Sequence, residues 1–378
     1  MSSNSGIQIH DTTLRDGEQT PGVVFDFNEK IILAKKAIEF GVDIIDVMPI
    51  VSDSEFRVTK ELAHLFGDKV SATCRAKKED IDLAINAGAK RATLFSPVSD
   101  LHITQKLRIS REENIKRSVE MIDYALSRGL IVDFAGEDAT RADLGYLKEF
   151  LQAIHNKIGI FFIADTVGCL TPESTRKLVW YVKNNASCLV GLHMHNDFGM
   201  ATANTLEGIR AGADVFSGTF TGIGERAGNA PIEEVCVALK HLYKIEPEIN
   251  WKFEMLKEIC DTVQKFSGIA LQKHKPLVGE NAFSHESGIH VDGMLKNART
   301  YEYIEPETVG HKRRIVIGKH SGKRALQHVI DKGISLDGLD ASDIERAVNA
   351  IKKRKNISKE DIQSLVFALE KQYKKVLV

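Results

Sequence analysis

Two histidines at the end of an apolar stretch are the residues of this chain best suited to chemistry. His193 and His195 follow the run Leu189–Leu192, whose composition is typical of a buried strand. Alternate residues of a strand share a face, so the two imidazoles would point the same way and could hold a divalent metal. The alternative is a pair of hydrogen-bonded histidines lining a barrel.

A second polar stretch, Asp11–Gln19, lies far upstream and also begins where a strand is predicted to end. The carboxylate of Asp16 would complete, with two imidazoles, a set of ligands for Zn²⁺, Mn²⁺ or Mg²⁺ that leaves positions open for substrate. Arg15 would place a fixed cation beside the metal, where it would polarise a carbonyl and stabilise a developing alkoxide or enolate. The alternative for Arg15 is a structural ion pair with Glu18 or Glu137.

Four more polar residues are candidates at this site. Asn229 would add a neutral oxygen ligand to the metal. Thr166 would donate a hydrogen bond to a substrate carboxylate, or else cap the following helix. Glu137 would act as a base or substrate anchor, or else pair with an arginine such as Arg141. His102 is a weaker candidate that an ordinary surface position would also explain.

Composition excludes several classes of protein. The 378 residues carry a formal net charge of −1, with 43% hydrophobic and 27% charged residues, so nothing favours nucleic acid or an anionic membrane as a partner. No apolar run reaches the roughly 18–20 residues that span a bilayer. The start of the chain lacks a signal pattern, and five scattered cysteines resemble reduced core residues. These features predict a cytoplasmic protein.

From residue 7 to about 243 the chain alternates short strand-like runs with amphipathic helical stretches. The predicted strands are Ile7–Asp11, Asp43–Met48, Lys69–Arg75, Arg91–Ser96, Ile131–Ala135, Gly159–Asp165, Leu189–His195 and Val215–Thr221. Roughly eight strand–helix units in about 240 residues predict an α/β fold, the TIM (β/α)8 barrel. A doubly wound sheet is the alternative, but no Gly-x-Gly-x-x-Gly follows the first strand.

Charged and polar residues recur at the predicted strand ends. They are Asp16 after the first strand, Glu137 and Asp138 after the fifth, Asp165 and Thr166 at the sixth, His193 and His195 at the seventh, and Gly224–Asn229 after the eighth. In a barrel these ends converge on one face, where the active site is built. This placement is the main argument for an enzyme.

The pattern changes after Tyr243. We predict a catalytic barrel over 1–245, a linker and lid segment over 246–322, and a mainly helical C-terminal subdomain over 323–378. His285–His290 and Gly318–Gly322 are too polar and too rich in glycine for a core, and indicate functional lid segments. Near the C-terminus, Ser358–Asp361 resembles a capping box ahead of an apolar helical stripe.

Seven segments together resemble the acyl-CoA-dependent Claisen-condensing enzymes, the family of 2-isopropylmalate, citramalate and homocitrate synthases. The segments are Asp11–Gln19, Gly136–Asp143, Ala164–Gly168, His193–Thr205, Gly222–Val235, His285–Lys296 and Gly318–Gly322. The resemblance runs through nearly the whole chain. It implies a metal-dependent TIM barrel, a C-terminal lid subdomain exchanged within a homodimer, and acetyl-CoA with a 2-oxo acid as substrates.

The resemblance also implies roles for individual residues. Asp16, His193 and His195 would bind the metal with Asn229 nearby, while Arg15 would polarise the oxo-acid carbonyl. Thr166 would hold the substrate carboxylate, and Gln19 and His102 would contact substrate as well. Glu137 would lie beside the reacting centre, and His290, from the partner subunit, would assist deprotonation of the acetyl methyl group.

Within the family, the segments Phe283–Lys296 and Ala164–Gly168 are most similar to the homocitrate synthases associated with nitrogen fixation, which use 2-oxoglutarate. Two substrate-facing positions depart from the family pattern. Asp46–Ile50 stands where a glutamate followed by a small residue is usual. Asp133 stands where lysine-pathway homocitrate synthases tend to carry an arginine, so we expect it to disfavour a dicarboxylic substrate by repulsion.

Two other classes of function compete with condensation. A hydroxyacyl-CoA lyase of related fold would carry a reactive cysteine in the glycine loop after strand eight, but Gly222–Asn229 has none. A non-catalytic protein on a barrel scaffold is possible on fold alone, although an intact set of Arg15, Asp16, His193 and His195 argues against it. We therefore expect an acyltransferase, with 2-isopropylmalate or citramalate synthesis as the closest alternatives.

Overall fold

The structure is a computed structural model of the chain, and it describes residues 6–245 and 250–316 together with positions 320, 321, 325, 328, 349 and 353. The chain divides into two compact units, Met1–Leu271 and Gln272–Val378. The helix Leu256–Ser267 belongs to the first unit, where it packs against the first barrel helix.

The first unit contains a closed barrel of eight parallel strands in sequential order, with the eighth strand paired to the first. The strands are β1 (Gln8–Asp11), β2 (Ile44–Val47), β3 (Val70–Arg75), β4 (Arg91–Pro97), β5 (Ile131–Glu137), β6 (Ile160–Asp165), β7 (Leu189–Met194) and β8 (Val215–Gly218). This arrangement confirms the predicted TIM barrel.

One helix of regular length follows each strand. These helices are Phe27–Phe40, Asp53–Phe66, Lys78–Asn86, Arg111–Ser127, Leu144–Ile154, Pro172–Lys183, Ala201–Arg210 and Ile232–His241. Local sequence explains several of their ends. The carboxylate of Asp26 and the side chain of Glu29 form a reciprocal capping box at the first helix, which ends at Gly41 with φ of 118°, a conformation that favours glycine.

The strand ends differ slightly from the predicted ones. β5 continues to Glu137, whereas β8 ends at Gly218 because a 3-10 turn, Phe220–Gly222, follows it with Thr221 at φ of 69°. Strand β7 ends at Met194, and His195 instead forms an isolated antiparallel bridge with Asn229. The loop after strand eight is thereby fastened to the end of strand seven.

An apolar cluster inside the barrel consists of Ile44, Ile160, Phe162 and Val215, with Ala135 and Leu189 packed against it. Phe162 of this cluster lines the cavity described below, so the cluster closes the cavity from beneath. Of the five free cysteines, Cys74, Cys236 and Cys260 are buried as expected, while Cys169 is exposed. Among the described residues, no helix combines the length and apolar character that crossing a membrane requires.

The second unit contains a short parallel pair of strands, Ser284–His285 and Arg314–Ile315, and the helix Gly288–Lys296. His285 and Arg313 both contact the buried carboxylate of Glu302, at 2.9 Å from His285 Nε2 to Oε1 and 2.5 Å from Arg313 to Oε2. These contacts hold His285, which belongs to one of the predicted lid segments, within the second unit. The predicted capping box at Ser358 and the apolar stripe after it lie outside the described residues, as does most of Gly318–Gly322.

Candidate active site at the carboxyl end of the barrel

A cavity of about 290 Å³ opens at the carboxyl ends of the barrel strands. Its walls include residues from β1 to β8 and from the loops that follow several of them. Eight of the residues that we predicted to act on substrate or metal line it: Arg15, Asp16, Gln19, Asp46, Glu137, Thr166, His193 and His195. The convergence expected from strand ends in a barrel is thus present in the structure.

The three predicted metal-binding side chains meet at one point. Nε2 of His193 lies 3.2 Å from Oδ2 of Asp16, and Nε2 of His195 lies 3.7 Å from the same oxygen. Their potential ligand atoms all lie within 4.8 Å of one another. One carboxylate and two imidazoles in this arrangement suit a divalent cation such as Zn²⁺ or Mn²⁺.

Neighbouring groups orient these three side chains. Oγ of Ser217 lies 2.9 Å from Nδ1 of His193, and Nδ2 of Asn229 donates to Oδ2 of Asp16 at 2.9 Å. The amide oxygen of Asn229 is buried and has no hydrogen-bond partner in the described part of the chain. An unsatisfied oxygen beside the Asp16 carboxylate is a ligand atom that a bound cation would use. The residues present therefore fit a metal.

Charge at the site favours an ionised Asp16. Burial alone would raise the pKa of this carboxyl, but Arg15 and the two imidazoles outweigh burial and hold the pKa far below its usual range. Burial lowers the pKa of His195 to about 4, so that imidazole is neutral at neutral pH. An ionised carboxylate and a neutral imidazole are the protonation states in which these groups ligate metal.

Arg15 has a different partner from either one expected. Its Nε lies 2.8 Å from Oδ2 of Asp46, and its NH1 lies 3.7 Å from Oδ2 of Asp16. The alternative prediction, an ion pair of Arg15 with Glu18 or Glu137, is wrong. Glu18 instead pairs with Lys30 at 2.5 Å, and Glu137 pairs with Lys106 at 2.7 Å. The guanidinium therefore lies between two carboxylates at the edge of the cavity.

Thr166 and Glu137 both occupy positions open to substrate. Oγ1 of Thr166 accepts a hydrogen bond from the backbone N–H of Asp138 at 2.8 Å, which leaves its own hydroxyl proton free to donate. Nδ1 of His102 lies 3.6 Å from the Glu137 carboxylate. His102 thus contacts Glu137 but is not among the residues that line the cavity. Arg141 pairs with Asp138 at 2.7 Å instead of with Glu137.

The structure corrects the interpretation of Asp133. Its carboxylate is fully buried, accepts from NH1 of Arg91 at 2.8 Å and from the backbone N–H of Ile160 at 3.0 Å, and does not line the cavity. Asp133 lies two residues before Ala135 on β5, so its side chain points inward one step below the cavity wall. The predicted repulsion of a dicarboxylic substrate by Asp133 is therefore wrong.

Several cavity residues were not among those predicted to act on substrate or metal. His10 and Ser217 lie on the inner faces of β1 and β8, and Arg226 reaches the cavity from the loop after β8. Arg226 is itself paired with Asp197 at 2.8 Å. Strand alternation was the available signal for His10, since inward positions alternate along β1. His290 lies in the second unit, on the helix Gly288–Lys296, with its ring 4.2 Å from that of Tyr301.

Two family models match the chain. The HMGL-like model covers residues 6–263, and the model described as homocitrate synthase post-HMGL domain-like covers residues 277–359. Solved structures share the fold at low identity. The HMG-CoA lyase of Bacillus subtilis has a TM-score of 0.63 and 19% identity over 72% of this chain and 97% of that chain. The carboxyl transferase domain of Rhizobium etli pyruvate carboxylase has a TM-score of 0.56 and 14% identity over 71% and 49%.

Curated relatives are more similar in sequence. A protein named putative (R)-citramalate synthase CimA from Archaeoglobus fulgidus is 41% identical over 94% of this chain and 78% of its own length. The probable 2-isopropylmalate synthase of Ignicoccus hospitalis is 45% identical over 86% of this chain and 82% of its own length. The homocitrate synthase AksA of Methanothermobacter thermautotrophicus is 40% identical over 93% of this chain and 90% of its own length. The chain therefore belongs to the HMGL-like family, among the acyl-CoA-dependent condensing enzymes that its motifs predicted.

Proposed function

We propose that this protein condenses acetyl-CoA with 2-oxoglutarate, releasing homocitrate and CoA. The observation that carries the proposal is the meeting of Asp16, His193 and His195 beside Arg15 in one cavity. Relatives named as homocitrate, 2-isopropylmalate and citramalate synthases support the condensation of acetyl-CoA with a 2-oxo acid. The segments that resemble homocitrate synthases support 2-oxoglutarate as the oxo acid.

Each step of a condensation has a residue suited to it. The guanidinium of Arg15 would hydrogen-bond the ketone oxygen of the 2-oxo acid and stabilise the alkoxide that forms there. The hydroxyl of Thr166 would donate to the carboxylate next to the ketone. A divalent metal held by Asp16, His193 and His195 would act as a Lewis acid toward the same oxygens. These contacts fix the ketone carbon for attack.

The other half of the reaction needs a base for the acetyl methyl group. Removing a methyl proton gives an enolate, whose carbon attacks the ketone carbon; the alkoxide takes up a proton, and water then cleaves the thioester to release CoA. We propose that Glu137, held by Lys106, lies beside the reacting carbon. His290 would assist the deprotonation from the lid of a partner subunit in a homodimer. We further propose that the enzyme acts in the cytoplasm.

The ion pairs around the cavity bear on the choice of oxo acid. Asp46, which the sequence marked as unusual, is paired with Arg15 and also accepts from Oγ1 of Thr73 at 2.6 Å. Asp133 is paired with Arg91 beneath the cavity wall. Because both carboxylates have a guanidinium partner, their repulsion of a dicarboxylic acid is largely cancelled. The charge repulsion that we predicted from the sequence therefore does not argue against 2-oxoglutarate as the substrate.

A hydroxyacyl-CoA lyase remains the alternative from another reaction class, since HMG-CoA lyases share the fold. The loop Gly222–Asn229 contains no cysteine, and the nearest one, Cys236, is fully buried within the helix Ile232–His241. Burial also raises the pKa of the Cys236 thiol well above its ordinary value, so it is not a reactive thiolate. These facts favour condensation over cleavage.

The test is a thiol-release assay with acetyl-CoA and a panel of 2-oxo acids, with the metal content of the protein measured in parallel. Metal-dependent release that is fastest with 2-oxoglutarate supports the proposal. Preference for 2-oxoisovalerate or pyruvate would assign the enzyme to 2-isopropylmalate or citramalate synthesis instead. Metal-loaded protein that releases no CoA with any oxo acid would contradict condensation.

A further inference from the structure

His10 is a buried histidine in the cavity with no role in the proposed chemistry. Its side chain belongs to β1, where His10 is in register with Ser217 of β8. Ser217 is in turn in register with His193 of β7, which carries one of the metal-binding imidazoles. The ring of His10 lies 4.8 Å from that of Phe162, part of the apolar cluster beneath the cavity. His10 therefore lies low in the cavity, beside the metal-binding residues.

Neither ring nitrogen of His10 has a hydrogen-bond partner among the described residues, and the residue is only 3% exposed. A neutral imidazole carries one donor and one acceptor, and leaving such groups buried and unsatisfied is costly. Burial lowers the pKa of His10 to about 4, so the ring is neutral at neutral pH. The protein thus keeps an unsatisfied polar ring at the inner end of a substrate cavity.

The charged groups around His10 are already occupied. Asp46 and Arg15 pair with each other, Arg91 pairs with Asp133, and Arg226 at the cavity rim pairs with Asp197. Among the described residues that line the cavity, the arginines are Arg15, which we assign to the ketone oxygen, and Arg226, which is held by Asp197. His10 is consequently the group best placed to satisfy a polar atom there.

We propose that His10 determines specificity by hydrogen-bonding the end of the 2-oxo acid that is distant from the ketone. The substrate would then carry an oxygen at that end, as a carboxylate or a hydroxyl, and purely aliphatic 2-oxo acids would leave His10 unsatisfied. This inference rests on the proposed function, because it takes the cavity to be the 2-oxo acid site. It deepens that function by naming the chemical class of the substrate side chain.

The test compares three 2-oxo acids with the same number of carbons. These are 2-oxoglutarate, 5-hydroxy-2-oxovalerate and 2-oxovalerate, which end in a carboxylate, a hydroxyl and a methyl group. We expect the wild-type enzyme to prefer one or both polar ends in kcat/KM, and the better of the two identifies the end group. A wild-type preference for 2-oxovalerate would overturn the inference.

Variants of His10 separate recognition from folding. His10→Phe keeps a flat ring without hydrogen-bonding atoms, and we expect it to lower kcat/KM for the polar substrate about 10–100-fold, mainly through KM, with little loss for 2-oxovalerate. His10→Asn, which retains a donor and an acceptor, should keep most of the preference. Ile9→Val, a fully buried neighbour on the outward face of β1, is the matched control and should change neither substrate.

An equal loss for all three substrates in His10→Phe, or an unchanged preference, would overturn the inference. Calorimetric titration of the metal-loaded protein with 2-oxoglutarate and 2-oxovalerate separates this outcome from failure of the proposed function. Tighter binding of the polar acid that disappears in His10→Phe would support His10 even if no CoA were released. Equal binding of both acids by the wild type would count against His10 whatever the enzyme catalyses.

Discussion

Nε of Arg15 lies 2.8 Å from Oδ2 of Asp46, and this ion pair joins the loop after β1 to strand β2. Asp46 is only 1% exposed and also accepts from Oγ1 of Thr73 at 2.6 Å. NH1 of Arg15 lies 3.7 Å from Oδ2 of Asp16. The guanidinium that we assign to the ketone oxygen is therefore oriented by a carboxylate outside the cluster of Asp16, His193 and His195.

Replacing Asp46 by asparagine should impair turnover because the guanidinium of Arg15 loses its buried anionic partner. We expect Asp46→Asn to lower kcat by about 10-fold or more while the metal content stays unchanged, as measured by steady-state CoA release and metal analysis. Asp53→Asn, on the exposed first turn of the next helix, is the control. A variant with normal kcat would show that this ion pair does not orient Arg15.

Ser217 should tune the affinity for metal through His193, since its Oγ lies 2.9 Å from Nδ1 of that imidazole. We expect Ser217→Ala to weaken metal binding by about 10–100-fold, as measured by competition with a chelator. Ser71→Ala removes another buried hydroxyl of the barrel interior, one that bonds Thr93 instead, and should leave the affinity unchanged. Equal metal affinities in the wild type and Ser217→Ala would show that Ser217 does not support metal binding.

His10 should make the fold sensitive to acid. Burial lowers the pKa of the folded-state ring to about 4, from an ordinary value of 6.5. Below pH 6.5 the unfolded chain therefore binds a proton that the folded protein does not, and stability falls until about pH 4. Between pH 7 and pH 5 this group should cost about 2 kcal/mol of unfolding free energy.

Urea unfolding of the wild type and His10→Phe at both pH values measures this contribution. The difference between the two proteins cancels the other titrating groups, such as Asp11, whose pKa burial raises to about 6. We expect the wild type to lose more stability than the variant on acidification. Equal losses would mean that the ring of His10 titrates normally in the folded protein.

Lys30 should be important for stability because it is fully buried between two carboxylates. Its Nζ lies 2.5 Å from Glu18 and 2.6 Å from Glu55, so it links the loop after β1 to the helix Asp53–Phe66. Lys30→Ala leaves both carboxylates without their partner and should lower the unfolding free energy by about 3 kcal/mol, measured by urea unfolding. Lys36→Ala, which breaks the more exposed pair with Glu258, should cost less than about 1 kcal/mol. Similar effects of the two changes would refute a special role for Lys30.

Much of the fold and of the candidate metal site could be predicted from the sequence. The eight strand–helix units are local patterns, and the rule that parallel strand ends share one face was enough to bring Asp16, His193 and His195 together. Family motifs supplied the reaction, which geometry alone would not have given.

The depth of a side chain in the barrel and its ion-pair partner were not predictable in this way. Asp133 and Ala135 both point inward on β5, but only the staggered closure of the barrel decides that Asp133 lies below the cavity wall. The ion-pair partner of Arg15 depends on which residue of β2 lies at the same level of the barrel as Arg15. Such contacts join residues far apart in sequence, so local patterns could not show that Arg15 pairs with Asp46 and not with Glu18.

The most direct test of the metal site follows CoA release while metal is returned to chelated protein. With acetyl-CoA and 2-oxoglutarate, we predict negligible release by the metal-free wild type and a rise to a plateau at one divalent ion per chain. His193→Ala should neither retain metal nor recover activity, whereas His64→Ala, at an exposed helix position, should match the wild type. Full CoA release by metal-free protein, or by His193→Ala, would contradict a catalytic metal bound by Asp16, His193 and His195.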